Sequence, residues 1–138
     1  MWLFTPDGFF SAVQHRDDPD TLIIRGRFPA DIERLAHALG TEVVLTPTAD
    51  YPVRTYVNRE RWAGYVAAAA RAIDYDNFKN AVTQTQGHGR HQTYLEVWSV
   101  LRGAEDSQAR EQPDRDGFAA SDRVTRDEAH RRDTPPNE

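Results

Sequence analysis

The chain has no cysteine, so disulfides, thiolate nucleophiles, Cys-ligated zinc and iron–sulfur clusters are excluded. Long apolar runs are also missing, and no window approaches the ~20 consecutive apolar residues that a membrane helix needs. The opening MWLFTPDG carries no basic leader. The expectation is therefore a cytoplasmic protein without membrane association. Basic excess is lacking as well: 17 Lys and Arg stand against 22 Asp and Glu, a formal charge of −5, which argues against a general polyanion binder. Lysine is nearly absent, Lys79 being the single example among those 17, a bias that reads as the mark of a GC-rich genome. Several signatures do not occur: GxxxxGK[ST], GxGxxG after a strand, GxSxG and HExxH. Nucleotide-dependent kinases, dinucleotide oxidoreductases and serine-elbow hydrolases lose their sequence support, and no cofactor is expected.

What is present fits one α+β domain followed by a tail. After Gly103 the composition changes: residues 104–138 hold 16 charged side chains and seven apolar ones, five of them alanine. Such a segment buries too little surface to offset ~1–2 kcal/mol of backbone entropy per ordered residue, so a disordered polar and acidic tail is expected there. Its ten acids and six arginines leave residues 1–103 with 11 basic and 12 acidic side chains.

Within residues 1–103 a pattern occurs twice. Residues 2–5 form a short apolar run ending at the turn Pro6-Asp7-Gly8. Residues 9–15 and 21–28 read as strands joined by the turn cluster RDDPD, with Leu22, Ile24, Gly26 and Phe28 on one face and Ile23, Arg25 and Arg27 on the other. Pro29 opens a helix, Asp31 and Glu33 favour its first turn, and Gly40 closes it. Residues 42–46 and 51–57 repeat the strand pair, and Asn58 caps a second helix with Trp62, Val66, Ala69 and Ile73 on one stripe. Two strand-strand-helix units predict a mainly antiparallel four-stranded sheet with both helices on one face. The last segment is expected to cover the other face. A short helix continues through residues 73–82, TQTQGHGRH forms a loop, and a helix over 92–101 docks Tyr94, Val97, Trp98 and Leu101 on the body.

The densest chemistry lies in Asp74, Tyr75, Asp76 and Lys79 of DYDNFK together with His88 and His91 of the GHGRH loop, where a base, a phenol, an amine and two imidazoles fall within eighteen residues. These are the candidate catalytic residues if a site exists. Helix capping, core packing and a polar connection are the roles weighed ahead of catalysis for the same residues. Metal binding is not expected: His88 and His91 lack a third ligand at helical spacing, and Asp17, Asp18 and Asp20 lack the pattern of a calcium loop. Arg25, Arg27, Arg54 and Tyr56 on strands, with Arg90, form a candidate ligand-binding set, and Phe9 or Phe10 offers a stacking surface for single-stranded nucleic acid. The RNP-type motif is missing, and pairing of Arg25 and Arg27 with the acidic turn or Glu42 is the expectation weighed against that reading.

The elements MWLFTPDGFFS, DYDNFK and YLEVW, taken together, resemble a family of small uncharacterised bacterial proteins, mainly actinobacterial. The resemblance spans residues 1 to about 102 and implies one folded unit, without implying a mechanism. The expected function is a non-catalytic interaction or regulatory domain with a protein partner or a homodimer. The alternatives are a small enzyme or small-ligand binder around DYDNFK and GHGRH, and single-stranded nucleic-acid binding through the sheet face.

Overall fold

A computed structural model describes residues 1–111. Backbone contacts divide the chain into Met1–Tyr94 and a second unit beginning at Leu95. Among the described residues no helix is long and apolar enough to cross a membrane.

The first unit is an antiparallel five-stranded sheet with helices, an α+β arrangement. Strand β1 (Trp2–Thr5) pairs with β2 (Gly8–Gln14) across a two-residue turn. Thr5 fixes that turn: its hydroxyl oxygen accepts from the amides of Asp7 and Gly8, both at 3.2 Å. The four-stranded expectation is corrected here, because the N-terminal apolar run is a fifth strand. Four residues are too few to show alternation, yet the hairpin turn brings them into register, with Phe4 opposite Phe9 and Leu3 opposite Phe10.

Strand β3 (Thr21–Gly26) follows the RDDPD turn, where Asp18 accepts from the Asp20 amide at 3.0 Å and from the Thr21 hydroxyl at 2.6 Å. The Thr21 bond is the largest factor holding the Asp18 carboxyl below its ordinary value. Helix α1 (Pro29–Leu39) starts with proline in its first turn and ends at Gly40, whose φ of 59° is the left-handed conformation that glycine adopts without strain. Strand β4 is only Val44–Leu45, and β5 (Val53–Asn58) begins after Pro52. Asn58 then accepts from the Glu60 amide at 2.9 Å to cap α2 (Arg59–Arg71).

The order β1-β2-β3-β5-β4 joins the two strand pairs along β3 and β5, with Leu22 opposite Val57 and Ile24 opposite Thr55. Helices α1 and α2 lie on one face. Phe10, Leu22, Ile24, Val53 and Val57 of the sheet meet Ile32 and Leu35 of α1 and Trp62 of α2 in the main core. Thr55, fully buried in that face, donates to the Thr41 hydroxyl at 2.8 Å and so carries no unsatisfied group inward.

The other face has a second core of Phe9, Tyr51, Val82 and Tyr94, with Phe4 and Phe78 against it. Phe9 stacks on Phe4 at 4.6 Å, and Tyr94 stacks on Phe78 at 5.8 Å. Helix α3 (Phe78–Gln86) supplies Phe78 and Val82; the helix expected over residues 73–82 does not run continuously, because Asn77 starts a new one by accepting from the Asn80 amide at 3.2 Å. Helix α4 (His88–Glu111) supplies Tyr94. The expected GHGRH loop is therefore also corrected: Gly87, at φ 81°, is the whole break between α3 and α4, and residues 88–91 form the first helical turn of α4.

The described residues of the second unit, taken by themselves, are α4 from Leu95 to Glu111. The tail was expected to begin at residue 104, but residues 104–111 are helical. Ala104, Glu105, Gln108, Ala109, Arg110 and Glu111 are good helix formers that extend a helix already nucleated, and extension costs far less than nucleation. The remainder of the expected tail lies outside the described residues.

Candidate functional site

The strongest electrostatic feature was not singled out as a site from the sequence. Asp31 is fully buried in the first turn of α1. Its carboxylate accepts from the Phe9 amide at 3.0 Å, from Arg34 at 2.9 Å, and from both terminal nitrogens of Arg90 at 2.6 and 3.2 Å. Gly8 permits this approach, since a Cβ there would stand 2.9 Å from the Asp31 side chain. The Arg90 guanidinium also lies 3.7 Å over the Phe28 ring. Burial works against the charge on Arg90, and the Asp31 carboxylate with the Tyr94 hydroxyl outweighs it, so the group is held above its ordinary value. Burial pushes the Tyr94 phenol up in turn. Every acceptor position of Asp31 is occupied, so Arg90, read as a ligand-binding candidate, serves to lock the start of α4 to α1 and β2.

The six catalytic candidates separate into two groups. Asp74, Tyr75 and Asp76 lie in the segment between α2 and α3 and line a polar hollow with Asn77, Asn80 and Gln84. Lys79, His88 and His91 do not line it. At 100° per residue, positions 77, 80 and 84 of α3 turn one way and 79 and 83 another. His91 is held on that second side, with Nδ1 2.7 Å from the Thr83 hydroxyl and 3.0 Å from the Lys79 carbonyl. The His88 and His91 rings are 6.3 Å apart. Among the described residues no three His, Cys, Asp or Glu side chains gather as metal ligands.

Beside the polar hollow is a cavity of about 370 Å³ between β1, α2 and α3, sharing Asp74, Tyr75, Ala81 and Gln84 with it. Its apolar wall includes Leu3, Val66, Ala69, Ala70 and Ile73. The cause is legible in the chain: α2 ends in the run Ala67–Ala70, and methyl side chains leave unfilled the space that larger residues would occupy. Composition alone gave that run no prominence.

The arginine set on the outer sheet face is partly neutralised. Arg25 donates to the Ser11 hydroxyl at 2.9 Å and lies 4.7 Å over the Tyr51 ring; Arg27 covers the same ring at 4.9 Å and pairs with Asp50 at 2.9 Å. Asp50 takes the place expected of the acidic turn or Glu42. Arg54, directly opposite Arg25, donates from Nε to the Thr46 hydroxyl at 3.1 Å. Arg25 Nε is buried without a partner among the described residues. Tyr56 is exposed and meets His15 edge-on at 5.8 Å. Phe9 and Phe10, weighed as base-stacking rings, are both buried, in opposite cores.

On α4, Tyr94 is buried as expected, whereas Val97 is 37%, Trp98 48%, Leu101 66% and Val100 72% exposed. Of these, Val97, Trp98 and Leu101 were expected to dock beside Tyr94. No protein-family model matches the chain, and searches of curated proteins and of solved structures return no match.

Proposed function

We propose that the protein is a non-catalytic interaction module that pairs with a second copy of itself through the exposed apolar stretch of α4. The observation that carries this reading is the exposure of Val97, Trp98, Val100 and Leu101 within five residues. At 100° per residue they span roughly 160° of one helix side. From their fractional exposure they leave roughly 450 Å² open in each copy. No charged side chain falls between Val97 and Leu101, so the patch asks for an apolar partner rather than an oppositely charged one. A second copy supplies that surface at equal concentration. An antiparallel two-fold pairing centred at the level of Ser99 sets Val97 of one copy against Leu101 of the other, and the reverse.

The distribution of the catalytic candidates supports a non-catalytic role, since His91 is tied to α3 and the carboxylates of the Asp74 segment face another hollow. The reading keeps the cytoplasmic location expected from the sequence.

A pair would bury about 900 Å², below the ~1,200 Å² of specific stable interfaces, so association is expected at roughly 10–100 µM rather than nanomolar. Sedimentation equilibrium of the full chain from about 10 µM to about 1 mM tests this, with a monomer–dimer transition as the expected result. Val97→Glu and Leu101→Glu are expected to abolish it without lowering the melting temperature, because both positions are exposed. A monomer throughout that range, or self-association indifferent to both substitutions, rejects the proposal.

A further inference from the structure

We infer that the cavity between β1, α2 and α3 is a binding site for a small monocationic amine with an apolar body. This does not rest on pairing through α4. Three observations meet here. The cavity, at about 370 Å³, falls within the range of small-molecule pockets. Its wall is apolar, with Leu3, Val66, Ala69, Ala70, Ile73 and Ala81, and Ile73 is itself more than half exposed at its edge. The charged side chains that line it are of one sign. Asp7 and Asp74 line the cavity, and Asp74 continues with Asp76 into the adjoining polar hollow of about 560 Å³. Among the described residues no Lys, Arg or His lines either space. The side chains of Asp74 and Asp76 make no hydrogen bond or ion pair among the described residues, in contrast to the saturated carboxylate of Asp31.

An apolar compartment opening onto uncompensated carboxylates selects a ligand with the matching division: a hydrocarbon body that fills the space beside the alanines, and an ammonium group that reaches Asp74. A carboxylate of the same length would bring like charges together. An alcohol would fill the cavity and leave Asp74 unpaired. Each methylene buried is expected to tighten binding about fourfold until the cavity is full.

The test is titration of the ¹⁵N-labelled full chain with hexylamine, octylamine, 1-octanol and octanoate, each below its aggregation limit, followed by amide shifts. The expected result is saturable shifts confined to residues 66–75 and 81–85 and to β1, with octylamine tighter than hexylamine and about threefold to fivefold tighter than 1-octanol, and octanoate weakest. Asp74→Asn, at an exposed position, is expected to bring octylamine to the affinity of 1-octanol. Ala69→Phe is expected to remove binding of both by filling the cavity. Equal affinity for octylamine and 1-octanol, or an undiminished octylamine affinity in Asp74→Asn, overturns the assignment of an amine. Absence of shifts in the cavity residues with every probe overturns the site itself.

Discussion

Replacing Asp31 by alanine is expected to remove a large share of the first unit's stability at 25 °C. The carboxylate is fully buried and serves three partners at once: the Phe9 amide, Arg34 and the Arg90 guanidinium. Arg90 keeps only 11% of its side chain exposed, so removing its counter-ion strands a largely desolvated charge, a loss of about 3–5 kcal/mol. The Phe9 amide loses its acceptor inside the second core, which costs about 1–3 kcal/mol. Arg34 is nearly half exposed and contributes little, within the ~0–1 kcal/mol of surface pairs. These losses share one site and do not add in full, giving about 4–6 kcal/mol against a total of roughly 5–15 kcal/mol for a domain of this kind. Asp31→Asn retains an oxygen for the Phe9 amide and is expected to cost less, about 2–4 kcal/mol. Urea denaturation followed by tryptophan fluorescence, in which Trp62 is the buried reporter among the three tryptophans, measures both, and the absence of cysteine removes redox side reactions from the transition. Arg90→Ala combined with Asp31→Ala should cost well below the sum of the two single changes. A loss under about 1 kcal/mol for Asp31→Ala, or additive single effects, would refute the claim that this pair locks the first turn of α4 to α1 and β2.

Gly8→Ala should destabilise by about 1–3 kcal/mol, read in the same assay, because the new methyl stands 2.9 Å from Asp31 and from the Phe10 ring. Asn58→Ala should cost about 1 kcal/mol through loss of the α2 cap, and Asn58→Ser should recover most of it. Tyr65 and Tyr94 have phenols raised above 10.0, first by burial, with nearby carboxylate charge adding to it. A raised folded value means the folded state keeps protons that the unfolded chain has lost, so this stability is complete below pH 10 and falls as pH climbs through the folded values. Absorbance titration at 295 nm should show two tyrosines ionising late, and Tyr65→Phe and Tyr94→Phe should each flatten the alkaline slope of stability.

The sheet was legible where local chemistry is strong. Alternation in the stretches read as strands, 21–28 and 51–57, located β3 and β5 and their buried faces, although β3 stops at Gly26 and β5 starts only at Val53, and Pro29, Gly40 and Asn58 marked helix ends through backbone constraints that act within a few residues. The misread parts depend on partners far along the chain. Trp2–Thr5 is a strand because β2 pairs with it, and residues 88–91 are helical although Gly89 and two histidines disfavour it, since Arg90 is anchored to Asp31, 59 residues away. Charge count gave no hint that these two would meet. For the candidate site, the sequence located Asp74, Tyr75 and Asp76 correctly in one neighbourhood but joined them to His88 and His91, which the turn of α3 carries elsewhere. The cavity came from what α2 lacks, and a run of alanines reads as good helix before it reads as empty space.

The proposed pairing sets the Val97–Leu101 side of α4 against a second copy of the chain. A single spin label introduced as Ser99→Cys or as Ser107→Cys, in a chain with no other cysteine, reports the distance between copies directly. Antiparallel pairing centred at residue 99 predicts dipolar coupling for both labels above the association concentration, with the 107 pair separated along the helix axes by about 24 Å more than the 99 pair. No coupling at any concentration, or equal distances for the two labels, would contradict it.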